Sequence, residues 1–383
     1  MEYVCGLQNI GNTCYMNSVI QVILHNKDMR KYLQEKLFEK VLIENIEKKY
    51  KSIDDNKIQY TFTFQLFNLL MNMREYKIIS PSSFKKLLSI KNETFMGNRQ
   101  NDSHELLNYI IDSIHEEVKT NVIAIYADFP KEYHDVQKIK KKCVEMVRKT
   151  NDIIIKINIV KEYYDFEMTH QDEILIHNSV SMWASYLEHN YSIVSEYFTG
   201  MFHSSLKCNQ CGYISHTFEI FTNISLEIPT CENDVNVSIY DCLNSFISNE
   251  IIDEQNKFTC HRCQQKTTGI KKIMIWYAPD NLIIHFKRFK TIGNNCVKNT
   301  TNIVYPKQIN LMNYATRKNK SYNYELTSII HHYGSFNGGH YASFNIIDDE
   351  WIHFNDSSVS RLSGDIDRKI MTDDTYIVIY RKI

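Results

Sequence analysis

Three features of the sequence predict an α+β fold. Amphipathic helical segments dominate the first third. Strand-like segments rich in aromatic and β-branched residues crowd the part after Trp183. The two kinds do not alternate as repeated βαβ units would. The chain has 383 residues and is 43% apolar, enough to bury a sizeable core, and its 11 Gly and 5 Pro leave no low-complexity tract or flexible linker.

The helical part opens with Gly6–Gln21, a loop running into a helix, in which Gly6 and Gly11 loosen the backbone and Asn12 and Thr13 are candidate caps. Helical periodicity continues over 14–36, with Tyr15, Val19, Val22, Ile23 and Leu24 as the apolar set, and then over 37–51. Phe62–Met73 turns Phe64, Leu66, Phe67, Leu69 and Leu70 inward. Pro81 fits a first helical position ahead of Phe84, Leu87 and Leu88. Asp102–Val118 places Leu106, Leu107, Ile110, Ile111 and Ile114 on one face.

Residues 120–180 have the weakest pattern. Lys138–Lys149 is basic and reads as a solvated helix face, with an acidic-partner or nucleic-acid patch as the alternative. Ile153–Val160 alternates Ile with Lys and Asn and is expected to form a strand. Further strands are expected at Phe198–Leu206, Tyr213–Ile228, Lys272–Ile275, Leu282–Phe289, Tyr324–Tyr333, His340–Ile346, Trp351–Phe354 and Thr375–Arg381.

The chain carries 44 basic and 45 acidic side chains, a net charge of −1 that makes no overall electrostatic case for nucleic acid or an anionic membrane. No apolar stretch is long enough to span a bilayer, and no apolar leader follows Glu2. The expected compartment is therefore reducing, cytosol or nucleus, and no membrane or nucleic-acid partner is expected.

Four of the ten cysteines form two Cys-x-x-Cys pairs, Cys208/Cys211 and Cys260/Cys263, each beside a predicted strand. Two such knuckles present four thiolates to one ion, the donor set of a closed tetrahedral zinc site. A closed set leaves no open position, so one structural Zn2+ per chain is expected and His261 has no ligand role. Cys231 and Cys242 read as ordinary core or surface thiols.

Cys14 falls in the first turn of its helix, where unpaired N–H groups and the helix dipole favour a thiolate. Alone it reads as a small buried hydrophobe. A nucleophile also needs a base. Among 15 His, His340 stands out because Gly334, Gly338 and Gly339 surround it as a narrow, mobile loop that a substrate backbone can approach. A following strand over Trp351–Phe354 would close a hairpin and bring Asn355 or Asp356 to the imidazole, completing a Cys–His–Asn type of triad.

These residues resemble the ubiquitin-specific protease family, papain-like cysteine peptidases that remove ubiquitin. Gly6–Ser18 is similar to its cysteine box, His331–Tyr341 to its histidine box and Gln100–Leu107 to a helix-opening motif, while the two knuckles are similar to its zinc fingers and Asn281–Phe289 to the strand that follows them. The resemblance implies one catalytic domain over 1–383 in a right-hand architecture. A helical thumb would span about 1–195, with an unusual insertion near 120–180. Zinc-bearing β fingers would span about 196–275 and a palm about 276–383. It implies Cys14 as nucleophile, His340 as base and Asn355 as third member. Asp356 would support Asn355 or the oxyanion, and Asn9 would donate to the oxyanion beside the Cys14 backbone N–H. Gly338 and Gly339 would floor a cleft for a Gly-Gly tail, and Asp102 and Glu105 would either pair with the arginines of that tail or serve the dipole of their own helix. Ubiquitin and ubiquitinated proteins are the partners this implies, for a monomeric thiol-dependent deubiquitinase. The competing readings are a protease for a ubiquitin-like modifier ending in Gly-Gly, a catalytically silent ubiquitin-binding module and a nucleic-acid-binding zinc ribbon.

Overall fold

A computed structural model describes residues 2–50, 55–229, 236–293, 295–318, 320–335 and 338–383. Cys231, Phe336 and Asn337 lie outside the described residues. The chain divides into two compact units, Met1–Lys119 with Ser192–Ile383, and Thr120–Tyr191.

The first unit begins with helices α1 (Cys14–His25), α2 (Lys27–Gln34), α3 (Glu39–Tyr50), α4 (Asp55–Gln59), α5 (Phe62–Glu75), α6 (Ser82–Lys91) and α7 (Ser103–Val118). Every residue of α1 is buried. It shares one core with Leu66 and Leu70 of α5, Leu106 and Ile110 of α7, and Ile330, Tyr341 and Ile377 from the sheet described next. A helix packed on opposite sides needs no polar face, which explains the near-continuous apolar run from Val19 to Leu24. Some of its polar groups find partners close by. Gln21 Nε2 donates to the Cys5 carbonyl at 2.8 Å, and the His25 ring meets the Gln21 carbonyl at 2.8 Å.

The strands expected after Trp183 are present and most of them join one eight-stranded sheet. Its order is Ser358–Arg361, Glu350–Asn355, Gly338–Ile347, Asn323–Ser335, Thr375–Lys382, Asn281–Phe286 and Asn223–Leu226, with Gln308–Asn310 added on Asn323–Ser335. The pairings are antiparallel except that of Asn281–Phe286 with Asn223–Leu226. Asn281–Phe286 is buried at every position, as a central strand covered on both faces should be. A second sheet holds Ile214–Phe221, Gly200–Cys208, Gly269–Tyr277 and Glu250–Ile252 in that order.

The unit Thr120–Tyr191 is helical: α8 (Lys131–Lys149), α9 (Ile153–Thr169) and α10 (Gln171–Asn190). The strand expected at Ile153–Val160 is therefore the start of α9. Alternation over so few residues is a weak signal, and this unit offers no sheet edge to pair with. Asp152 instead caps the helix, its Oδ1 accepting from the N–H groups of Ile154 at 2.8 Å and Ile155 at 3.2 Å. The basic stretch Lys138–Lys149 is a helix face, as expected.

Candidate active site

Cys14 is the first residue of α1, and no side chain caps that helix start. Thr13 occupies the cap position, but its hydroxyl accepts from the Ile10 N–H at 3.0 Å, and Asn12, at φ 53°, donates its amide to the Asn98 carbonyl at 2.9 Å. Neither serves as the expected side-chain cap. The first-turn N–H groups thus keep their positive end toward the sulfur.

His340 comes from the sheet. Ser343 pairs with Phe354 across the hairpin. In that register His340 and Asn355 are diagonal neighbours on one face, within side-chain reach. Asn355 Oδ1 lies 2.6 Å from His340 Nε2. His340 also interacts with Cys14, and with Nε2 on Asn355 the nitrogen left for the sulfur is Nδ1. The Cys14 interaction raises the His340 pKa to about 9; desolvation opposes the rise, and Asn355 and the charge of Asp356 add to it. The imidazolium is thus favoured beside the sulfur at neutral pH. The sign sets a testable limit. Below pH 9 the ring holds a proton that it could give to a leaving group, and above it the ring loses that proton. Turnover of a cleavable substrate is expected to fall on an alkaline limb near pH 9, read from kcat/KM against pH. A profile that keeps rising through pH 10 would contradict the pairing.

Asp356 does not touch the imidazole. Its Oδ2 accepts from Asn9 Nδ2 at 2.9 Å and its Oδ1 from Asn17 Nδ2 at 2.7 Å, while its backbone carbonyl accepts from the Leu7 N–H at 2.9 Å. Asn9 is held at its other end too, because its Oδ1 accepts from the N–H groups of Gly11 at 3.2 Å and Thr13 at 3.1 Å. The amide of Asn9 is thereby fixed ahead of the Cys14 turn with one Nδ2 hydrogen uncommitted. Asn17 entered the sequence reading only inside a motif. It lies one turn beyond Cys14, the spacing that puts two side chains on one helix face.

Gly338 and Gly339 belong to a strand and not to the expected mobile loop, pairing with Ser335 and Gly334. Gly338 is exposed, with open space where a side chain would stand. Gly339 is packed. A methyl group there would clash with His332 Nε2 and meet the Tyr333 carbonyl at 2.7 Å, so glycine is dictated by packing as well as by any substrate. Gln100 clamps the same residue, its Nε2 donating to the Gly339 carbonyl at 3.0 Å and its Oε1 accepting from the Gly339 N–H at 2.9 Å. That side chain acts as one more strand partner next to His340. Its sequence signal was its place at the head of the Gln100–Leu107 motif.

Asp102 and Glu105 part company. Asp102 caps α7, its Oδ1 accepting from the N–H groups of His104 at 2.6 Å and Glu105 at 3.0 Å, and its Oδ2 accepting from the Tyr376 hydroxyl at 2.5 Å. The helix-dipole alternative accounts for it. Glu105 is exposed, and no ion pair engages it among the described residues.

The four knuckle cysteines converge within the first unit. Cys208 ends one strand, and Cys260 opens the turn between Phe258–Thr259 and Lys266–Thr267. Each knuckle is closed by backbone bonds, Gly212 N–H to the Cys208 carbonyl at 3.0 Å and Gln264 N–H to the Cys260 carbonyl at 2.9 Å. Gly212 takes the left-handed conformation at φ 72° that such a turn requires. All four sulfurs lie within 4.8 Å of one another, and the set could hold a metal ion. Cys242 is buried in the core below.

A cysteine at a buried helix start, an imidazole from a neighbouring sheet and an asparagine orienting that imidazole define a papain-like cysteine peptidase. The chain belongs to the family described as ubiquitin carboxyl-terminal hydrolase, whose sequence profile matches residues 5–380. It is 28% identical to a probable ubiquitin carboxyl-terminal hydrolase of Acanthamoeba polyphaga mimivirus, over 98% of this chain and 90% of the other. It is 28% identical to human ubiquitin carboxyl-terminal hydrolase 2, over 98% of this chain and 55% of that protein. The chain thus spans most of the viral relative and about half the length of the mammalian one. In fold it is similar to Ubp8 in the SAGA DUB module with Sgf11, Sus1 and Sgf73 bound to monoubiquitin, with a TM-score of 0.70 at 22% identity over 100% of this chain and 70% of the other. A second structure of that module, bound to ubiquitin aldehyde, gives 0.67 at 22% identity over 100% and 70%.

Proposed function

We propose that this chain is a thiol-dependent deubiquitinase that hydrolyses the bond following the C-terminal glycine of ubiquitin. The observation that carries the reading is His340, held at Nε2 by Asn355 Oδ1 and raised in pKa chiefly by its interaction with Cys14. The Cys14 thiolate attacks the glycine carbonyl carbon. The oxyanion meets the Cys14 backbone N–H and the uncommitted Asn9 Nδ2 hydrogen. His340 gives its proton to the departing amine as the C–N bond breaks, leaving a thioester on Cys14. Water then attacks the thioester, His340 takes the proton of that water, and the thiolate leaves. Open space at Gly338 suits a tail without side chains, and exposed Glu105 is better placed than Asp102 to receive an arginine of that tail. The related modules carrying monoubiquitin and ubiquitin aldehyde support ubiquitin as the modifier. The test is a ubiquitin C-terminal fluorogenic amide beside the same amide on ubiquitin-like proteins ending in Gly-Gly. Turnover confined to ubiquitin is expected; turnover confined to another modifier would overturn the assignment. A reducing compartment, cytosol or nucleus, fits a catalytic thiolate.

The ion for the four cysteines is zinc in this reading. Thiolates at about 2.3 Å from a tetrahedral ion stand about 3.8 Å apart. Cys211 and Cys260 sulfurs are 3.7 Å apart, and those of Cys208 and Cys263 are 4.0 Å apart. Zinc would tie the end of Gly200–Cys208 to the turn at Cys260 and supply no chemistry to the active site. Cys208→Ser is expected to lower bound zinc from one per chain to near zero by elemental analysis and to weaken ubiquitin binding. Retention of one zinc per chain would refute the assignment.

A further inference from the structure

The unit Thr120–Tyr191 carries a surface that hydrolysis does not use. α10 covers only the first half of α8: Tyr133 stacks on His177 at 4.9 Å, and Gln137 Oε1 meets His177 Nε2 at 2.9 Å. α9 runs back along the second half, with Tyr163 beside Cys143 and Glu167 beside Lys140. The second half of α8 and all of α9 thus form a two-helix arm whose free end is the turn Thr150–Asp152. That turn is braced, with the Asp152 N–H donating to Thr150 Oγ1 at 3.2 Å.

The arm has almost no core, Ile159 being the one described residue of α9 that is buried. Its end exposes aliphatic side chains instead: Ile153 and Ile154 at 66%, Ile157 at 58% and Ile155 at 48%, and Val144 and Met146 of α8 are exposed as well. Charge is concentrated at the same end. Residues 138–161 hold eight Lys and Arg against Glu145 and Asp152, whereas 162–191 hold six acids and no Lys or Arg. Among the described residues no ion pair engages Lys141, Lys142, Arg148, Lys149 or Lys156.

We propose that the free end of the α8–α9 arm inserts into the surface of a bilayer containing anionic lipid. Ile153, Ile154 and Ile155 are consecutive, so their side chains leave the helix about 100° apart. No single rigid protein face covers all three, whereas acyl chains surround an inserted tip from every side. The flanking lysines and Arg148 then lie at headgroup depth, where their stems stay apolar and their charges meet lipid phosphate or carboxylate. Nucleic acid would satisfy the charge and leave the isoleucines in water. No helix among the described residues is long and apolar enough to cross a membrane, so the arm lies in one leaflet's interface. The local surface thus opposes the expectation, drawn from net charge, that no membrane is bound.

The test is co-flotation of the full chain with vesicles of phosphatidylcholine, alone or mixed with phosphatidylserine. Binding is expected to the mixed vesicles only and to weaken as salt rises. The triple variant Ile153→Ser, Ile154→Ser, Ile157→Ser should bind at least about tenfold more weakly. Lys141→Glu with Lys149→Glu should lose the preference for phosphatidylserine. Both should keep parental turnover of the soluble fluorogenic amide, which reports an intact fold. Absence of flotation, flotation unchanged in the isoleucine variant, or salt-sensitive binding to RNA that ignores the isoleucines would each overturn the proposal.

Discussion

Cys14→Ser is expected to reduce hydrolysis of a ubiquitin C-terminal fluorogenic amide by about 10⁴-fold or more while ubiquitin still binds. The effect is large because one atom carries two functions. In the proposed mechanism the sulfur is the nucleophile, and its interaction with the ring is the main cause of the raised His340 pKa. A serine hydroxyl at this helix start stays neutral and cannot sustain that charge. The His340 pKa should therefore drop from about 9 toward the ordinary imidazole range, a change that NMR titration of the ring reads independently of turnover. A serine variant that turned over substrate within tenfold of the parent would remove Cys14 from the mechanism. One that lost turnover but kept the ring titrating near 9 would show that His340 is held charged by something other than the sulfur.

Sequence patterns showed the helices, the strands and the cysteine knuckles because each rests on local chemistry: apolar periodicity, β-branched content, paired thiols beside tight turns. The hairpin that brings the 355–356 pair toward His340 was legible for the same reason, but the hairpin alone did not tell Asn355 from Asp356; the family resemblance did. What local pattern could not give was the spending of polar groups across the fold. Asp102 reads equally as an acid for the tail's arginines and as a dipole partner of its own helix until the cap at His104 and Glu105 and the hydroxyl of Tyr376 are seen to use both its oxygens. Gln100 and Gly339 meet from distant parts of the chain. The error at Ile153–Val160 arose from a short alternation whose decisive competitor, the Asp152 cap, lies just outside the window.

Asp356→Ala is expected to lower kcat by about 10²–10³-fold with a much smaller change in KM. In the proposed mechanism Asp356 is a positioning residue. One carboxylate oxygen holds Asn9 and the other holds Asn17, so the loop bearing the proposed oxyanion donor is tied to the helix bearing the proposed nucleophile. Without it the Asn9 amide keeps its bonds to Gly11 and Thr13 but loses its anchor on the donating side. Transition-state stabilisation then suffers while ground-state ubiquitin contacts do not. Asp356→Asn should rescue little. An amide presents one oxygen and one NH2 where two NH2 groups already point, and Asn9 cannot reverse its own amide without giving up the Gly11 and Thr13 N–H groups. Because Asp356 sits at φ 50°, a conformation that aspartate and asparagine tolerate better than alanine, the Asn variant also separates lost hydrogen bonds from backbone strain. If Asp356→Asn matched the parent in kcat, two accepting oxygens would not be required and the anchoring of the Asn9 amide would need another account. A fall in KM-dependent binding with kcat intact would place Asp356 in substrate recognition instead.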